Sequence, residues 1–143
     1  MGREKFIENW LKLSMHDIEV AELMFKNRDW PNSVFFSQQS VEKTIKALLE
    51  ANGIIVKDHF LANILKREIL PKEKTIEKII EIALWFERDR KWAITRYPIE
   101  KGGKVVLPEE VFTKEIAEDA LKKAKFVFDS ISKILKERYG VEV

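Results

Sequence analysis

The sequence predicts an all-α protein: an up-and-down antiparallel bundle of about five helices, four long and one short, in a single domain spanning residues 1–143. Two observations support this fold class. Apolar residues recur at spacings of three and four along most of the chain, and no segment alternates convincingly at a period of two. Hydrophobic residues make up 45% of the chain, which is enough for one core in a domain of this length.

The first two predicted helices are long and are joined by a short connection. The first covers about residues 3–27 and keeps an apolar stripe throughout. Pro31 fits the first turn of the second helix, which runs to about residue 52 before Gly53 ends it. Two long helices separated by so few residues are expected to pack antiparallel.

The third and fourth helices follow a short connection. Asp58 is placed to cap a short helix over residues 60–69, which Pro71 terminates. Residues 73–92 then keep the helical period and predict another long helix. These two elements complete the middle of the bundle.

A long loop and a last helix make up the remainder. Residues 94–112 lose all periodicity and contain two prolines and two adjacent glycines, so we expect a long loop, which is often functional or mobile. Thr113 is expected to cap the last helix, which carries a regular apolar stripe. Residues 138–143 are expected to fray.

Composition excludes several classes of function. The chain has 26 basic and 24 acidic residues, which argues against coating nucleic acid by global charge alone. It has no cysteine, so disulfides, thiol catalysis and zinc–thiolate sites are excluded. No stretch approaches 18 uncharged apolar residues, so we expect no membrane span and a cytoplasmic protein. A charged fraction of 35%, dominated by Lys and Glu, is typical of thermophile proteins.

The second helix has an unusual polar face. Gln39, Lys43, Lys46 and Glu50 recur at helical spacing, with Glu42 beside them. Amide, carboxylate and ammonium groups together offer both donors and acceptors. This face therefore suits a polar ligand or a protein partner.

The long loop carries a local positive charge. Between residues 87 and 104 there are six basic and three acidic residues, giving a local charge of +3, with Arg88, Arg90 and Lys91 at its start. Within it, Arg96 offers a guanidinium fork for carboxylate or phosphate, and Tyr97 adds an aromatic face. The segment is either a solvated basic loop or a site for a phosphate-bearing ligand or a nucleic-acid backbone. The Gly-Gly-Lys run at 102–104 lacks the other features of a phosphate-binding P-loop.

The two histidines differ in their interpretation. His16 lies within the first helix and is interpreted as an ordinary surface or half-buried residue. His59 precedes the short helix, where it either braces the helix junction or belongs to a site. Neither histidine has other ligands at metal-binding spacing, so no metal site is expected. No cofactor is expected either.

Taken in order along the chain, these features resemble the HEPN (higher eukaryotes and prokaryotes nucleotide-binding) superfamily, in its prokaryotic stand-alone form. The residues that carry the resemblance are Trp10, Asp17, Ile18 and Ala21 in the first helix, the segment 36–49, His59, the segment 95–98, and Glu118, Asp119, Ala120 and Ala124 in the last helix.

The resemblance implies a helical bundle that is often a homodimer, with a minimal nucleotidyltransferase as partner. Many such pairs act as toxin–antitoxin modules, and the family name reflects nucleotide binding. We expect a nucleotide or the partner to bind without catalysis by this chain. The predicted ligand-binding residues are Gln39, Glu42, Lys43, Lys46, Arg96 and Tyr97.

One departure from the superfamily bears on catalysis. Members that cut RNA carry Arg, then four to six residues, then His, and this sequence has no such match. An alternative interpretation is a metal-independent endoribonuclease toxin that uses His59 and Arg96 across the bundle or a dimer. A second alternative is a purely structural helical dimerisation protein, in which the polar face is an interface that fixes register.

Overall fold

The computed structural model describes residues 2–88 and 91–142, and its elements run almost entirely as helices. The elements are α1 (Gly2–Lys26), α2 (Trp30–Ala51), α3 (Ala62–Ile64) continued by a π-helical turn (Leu65–Ile69), a 3₁₀ turn (Lys74–Ile76), α4 (Glu77–Glu87), α5 (Lys91–Ile94), β1 (Ile99–Lys101), β2 (Lys104–Val106), α6 (Pro108–Val111) and α7 (Lys114–Tyr139).

The all-α prediction is confirmed, and α2 is the central helix. It packs along α1 on one side and α7 on another. Its apolar stripe meets theirs in a core that continues into α3 and α4, so that burial of one face per helix organises the bundle. The fully buried residues that define this core include Leu11, Val34, Ile45, Leu48, Leu65, Ile79, Val127, Ile131 and Leu135.

Small polar residues let α1 and α2 approach closely. Ser14 of α1 donates to the backbone carbonyl of Ser40 at 2.9 Å and shares hydrogen bonds with the hydroxyls of Ser40 and Thr44. Nearer the start of α2, Ser33 donates to the carbonyl of Ala21 at 2.9 Å. All four hydroxyl residues are fully buried, so these bonds fix the register of α2 against α1.

The helix start after residue 58 differs from the prediction. Asp58 accepts from the backbone N–H groups of His59 and Phe60, but the helix begins later, at Ala62. The cap comes from another helix, because the Glu87 carboxylate of α4 accepts from the N–H groups of Leu61 and Ala62 at 3.1 and 3.0 Å. A distant carboxylate therefore satisfies the donors that a local cap was expected to satisfy.

The long helix predicted over 73–92 is wrong in extent. It begins as a 3₁₀ turn, and its α-helical part ends at Glu87, because Arg88 has an extended ψ of 133°. A separate short helix, α5, starts at Lys91. Arg90, which contributed to the predicted basic cluster, lies outside the described residues.

The segment predicted as a long loop contains a β-hairpin and a helical turn. Strands β1 and β2 pair antiparallel around Gly102 and Gly103, whose φ values of 59° and 78° suit a two-residue hairpin turn. Each strand has three residues, which is too short for alternation to reveal it. The adjacent glycines were the available signal, since Gly-Gly between short β-branched segments is a hairpin motif.

The predicted fraying at the C-terminus is also wrong for the described part of the segment. Helix α7 reaches Tyr139, and Gly140 follows in the left-handed region at φ 66°. The N–H of Val141 then donates to the carbonyl of Leu135 at 3.0 Å, and the Val141 side chain is 2% exposed. This Schellman-type ending ties the terminus to the core.

Candidate functional site

The polar face predicted on α2 exists, but it lies in the crevice between α2, α1 and the connection that follows α2. Glu42 is only 8% exposed, and the Lys46 side chain is 12% exposed. Lys43 turns towards α1, where it reaches Asp17. The polar side chains of this face therefore bind mainly to other groups of the protein, and only one edge of the network is exposed to solvent.

Glu42 is the centre of this network. Its Oε1 accepts from the Nδ1 of His59 at 2.7 Å and from the amide of Gln38 at 3.1 Å. Its Oε2 accepts from the ammonium of Lys46 at 3.2 Å. The amide of Gln39 donates to the Gln38 oxygen at 2.8 Å, which extends the chain of hydrogen bonds. A buried carboxylate is stable only with such partners, so these donors compensate Glu42 for the hydration that it loses on burial.

Both predicted ligand-binding lysines already have anionic partners. Lys43 forms an ion pair with the buried Asp17 of α1. Lys46 pairs with Glu42 and also lies over the ring of Trp10, at 5.7 Å from the ring centroid. Each lysine therefore neutralises a carboxylate that is largely removed from water, and its role in binding a phosphate stays a prediction.

A third buried carboxylate continues the pattern. Glu50, in the last turn of α2, forms an ion pair with Arg3 of α1 and accepts from the Trp10 indole N–H at 3.4 Å. We call Asp17, Glu42 and Glu50 the carboxylate row. Each member of the row is matched by a basic side chain, so the crevice is close to charge balance.

Arg96 and Tyr97 have different surroundings. The Arg96 guanidinium lies 4.4 Å from the centroid of the Phe35 ring and donates to the Asn32 side-chain oxygen at 3.3 Å. Among the described residues, no carboxylate lies within ion-pair distance of it. Tyr97 is 64% exposed beside it. This guanidinium is positioned by stacking and remains open to a ligand.

Three of the predicted residues share one face of α2 with Phe35, but the predicted set does not meet at one point. Phe35, Gln39, Glu42 and Lys46 follow at spacings of four, three and four, which places them on the same side of the helix. Phe35, under Arg96, and Glu42, beside His59, are separated by seven residues, or about 10 Å along the axis. Arg96 and His59 therefore meet α2 roughly two turns apart.

The far end of the crevice is acidic. Burial raises the pKa of Glu87, whereas the hydrogen bonds from the backbone N–H groups of Leu61 and Ala62 lower it. The nearby carboxylates of Asp58 and Glu42 raise it further. Glu87 thus joins the short α3 helix to the carboxylate row through both hydrogen bonding and charge.

Sequence reasoning missed several members of the network. Gln38 is four residues before Glu42 on α2, so its helical spacing was a usable signal. Asp17, Trp10 and Glu87 come from other helices, and only the packing of the bundle reveals their contacts with α2 and α3.

Across residues 2–88 and 91–142, no group of three or more His, Asp or Glu side chains is placed to hold a metal ion. In the same part of the chain, no helix is both long and apolar enough to cross a bilayer.

The fold and the site define a class of protein: an all-α bundle whose central helix carries a buried charge network beside an open guanidinium. The family model described as HEPN domain matches residues 7–135, so the chain belongs to the HEPN domain family. This membership confirms the resemblance noted from the motifs.

A curated relative and two solved structures are similar to the chain. "Putative toxin MJ1304" of Methanocaldococcus jannaschii is 35% identical over 142 residues, which cover 96% of this chain and 93% of the relative. The crystal structure of ST0689, described as an archaeal HEPN homologue, has a TM-score of 0.70 at 24% identity, covering 91% of this chain and 98% of that one. The crystal structure of TT1696 from Thermus thermophilus has a TM-score of 0.69 at 22% identity, covering 89% and 96%.

Proposed function

We propose that this chain is one half of a prokaryotic toxin–antitoxin type module, in which it binds a nucleotide, a minimal nucleotidyltransferase partner, or both, without catalysis of its own. Family membership and the description of the M. jannaschii relative as a toxin support this proposal. We also expect the protein to be a homodimer, which sedimentation velocity can test.

The observation that carries the proposal is the state of Arg96. It is exposed, stacked on Phe35 and hydrogen-bonded to Asn32, and it has no carboxylate partner among the described residues. A guanidinium held in this way loses little side-chain entropy when it binds a phosphate bidentately. The exposed ring of Tyr97 offers a neighbouring surface for a base.

The α2 residues contribute less directly to binding. Gln39 lies one turn from Phe35 and is half-buried, so its amide is placed to read a polar edge of the ligand. Lys43 and Lys46 attract an anionic ligand less strongly than free lysines would, because they also neutralise Asp17 and Glu42. The affinity for the ligand should therefore depend chiefly on Arg96.

A titration with ATP tests the nucleotide part of the proposal. Loss of a charged hydrogen-bonding group costs roughly 1.5–3 kcal/mol, so Arg96→Ala should weaken ATP binding by at least about tenfold. Arg96→Lys should restore only part of the lost ATP affinity, because an ammonium group cannot bind a phosphate bidentately as the planar guanidinium does. Lys133→Ala, an exposed change on α7, should leave ATP affinity unchanged.

The partner part is tested with a minimal nucleotidyltransferase. Co-expression should yield a complex on gel filtration, and Arg96→Ala should reduce its amount. If ATP does not bind and no complex forms with that protein, the proposal is wrong. If oligomeric mass alone changes in the variants, the purely structural alternative replaces it.

A second candidate, the endoribonuclease toxin, is favoured by one contact. The buried Glu42 carboxylate accepts from the Nδ1 of His59 at 2.7 Å, which orients the imidazole as a carboxylate does in many acid–base sites. RNA cleavage in EDTA that disappears in His59→Ala would favour this candidate. Intact RNA after incubation with the protein, both alone and with its partner, would remove it.

A further inference from the structure

The β-hairpin of residues 99–106 stands out from the helical bundle. Its two strands contact chiefly each other, and only Ile99 and Val106 are half-buried against the body of the protein. Val105, at 75%, is the most exposed of the large apolar side chains in the described chain. The hairpin therefore contributes little to the stability of the bundle, and packing alone does not explain its sequence.

The tip of the hairpin has an unfavourable charge arrangement. The Gly102-Gly103 turn sets a register in which Lys101 lies directly opposite Lys104. Like charges in this position destabilise a hairpin, and an acidic residue at either place would stabilise it. Among the described residues, no carboxylate lies within ion-pair distance of either lysine. Such a local conflict is expected where an external anion completes the site.

The base of the hairpin supplies the other chemistry that a nucleic-acid strand requires. Arg96 and Tyr97 lie one residue before β1, with Pro98 between, and the Tyr97 ring is 64% exposed. The six residues from Arg96 to Lys101 are joined by five steps and span at most about 17 Å, a distance that covers several consecutive phosphates of one strand. Aromatic rings between cations are the usual arrangement for binding single strands without reading their sequence.

We infer that this hairpin is a binding arm for single-stranded nucleic acid, with Lys101 and Lys104 on the phosphates and Tyr97 stacked on a base. The arm needs no cleavage chemistry. The inference goes beyond the nucleotide-or-partner proposal. It shares Tyr97 with that proposal but rests on the hairpin lysines, so it remains if Arg96 proves to bind neither ATP nor a nucleotidyltransferase.

Fluorescence anisotropy with labelled 12-nucleotide RNA and DNA single strands tests the arm. At 50 mM salt, Lys101→Glu with Lys104→Glu should weaken binding of at least one of the two strands by more than about tenfold. The slope of log affinity against log salt should become shallower by about 1.4, which is the value for two lost phosphate contacts on a single strand. Tyr97→Ala should weaken the same strand, and Tyr97→Phe should not.

The matched control is Lys12→Glu with Lys133→Glu, which makes the same change in net charge at two exposed lysines on α1 and α7. This variant should bind the strands almost as the parent does. The inference is wrong if the parent binds neither strand, if the hairpin variant binds as the parent does, or if the control loses as much affinity. It is also wrong if the hairpin variant loses only the protein partner. Preference for RNA or DNA between the two strands identifies the sugar that the arm accepts.

Discussion

The basic side chains of α2 and those of the segment 96–104 differ in what they face. Lys43 and Lys46 contact buried carboxylates inside the crevice, whereas Lys101 and Lys104 have no carboxylate partner among the described residues. The two regions are rich in the same residue types, but the first uses its charge to stabilise the fold. We infer that the second keeps its charge for a ligand. Charge content alone does not distinguish a site from a scaffold.

The physical reason lies in the cost of desolvation. A carboxylate in the crevice, such as Glu42, loses much of its hydration and must be compensated by nearby donors. A ligand phosphate would have to compete with that carboxylate for the same ammonium. At the exposed hairpin no such competition exists, although water and salt screen each contact there. Binding at the hairpin should therefore be strongly salt-dependent, whereas stability should depend on the crevice.

The largest expected effect is on Glu42. Glu42→Ala leaves Lys46 and Gln38 without their common partner, and breaking a buried ion pair costs roughly 3 kcal/mol. Urea denaturation should show this loss of unfolding free energy. Glu100→Ala, at an exposed position on β1, should change stability by less than about 0.5 kcal/mol. Equal values for the two variants would contradict the contrast between the regions.

A smaller effect is expected at Lys43. Lys43→Ala leaves the buried Asp17 unpaired and should cost about 1–3 kcal/mol, whereas the exposed Arg96→Ala should cost less than about 1 kcal/mol. Adding Asp17→Asn to the lysine variant should restore part of the loss, since no charge remains to be paired. Thermal unfolding of the three variants and the parent makes this comparison. A lysine variant as stable as the parent would show that Asp17 is adequately hydrated.

The next prediction concerns pH. The pKa of Glu87 is raised, chiefly by burial, so the folded protein keeps this proton at a pH where the unfolded chain has lost it. This contribution to stability is complete below the ordinary value of 4.5 and is lost as the pH rises through the raised pKa. Glu87→Gln removes the dependence while its amide oxygen can still accept from the backbone N–H groups of Leu61 and Ala62.

Melting temperatures between pH 4 and pH 7 test this sign. The difference between variant and parent should shift steadily in favour of Glu87→Gln as the pH rises. Glu81→Gln, at an exposed carboxylate on the same helix, should show no comparable trend. A difference that stays constant, or that shifts towards the parent, would contradict the direction of the pKa change.

The sequence predicted the helical bundle because the long helices carry uninterrupted apolar stripes. The short elements were not predicted correctly. The strands of the hairpin have three residues each, and Glu87 caps α3 from a position 25 residues away. Helical periodicity is a property of ten or more residues, whereas these features depend on two glycines or on one tertiary contact.

Site prediction divided in the same way. The polar face of α2 was visible, because Gln39, Glu42 and Lys46 share a helical face. The partners of that face were not, because Asp17 lies on another helix and only the packing of α1 against α2 brings it to Lys43. Arg96 was singled out from the sequence as a candidate ligand-binding residue, which stays a prediction, and its position over Phe35 required the structure.

The smallest expected effect on stability is at the hairpin tip, and its sign is informative. Lys101→Glu places an acidic residue opposite Lys104, so the hairpin should gain a few tenths of a kcal/mol, at the lower end of cross-strand pair energies. Hydrogen exchange of the hairpin amides should report this gain as slower exchange. The same variant should bind single strands more weakly than the parent. An increase in local stability together with a loss of binding would show that the opposed lysines serve a ligand at some expense to the fold. Faster exchange, or unchanged binding, would show instead that the hairpin is only a solvated basic turn.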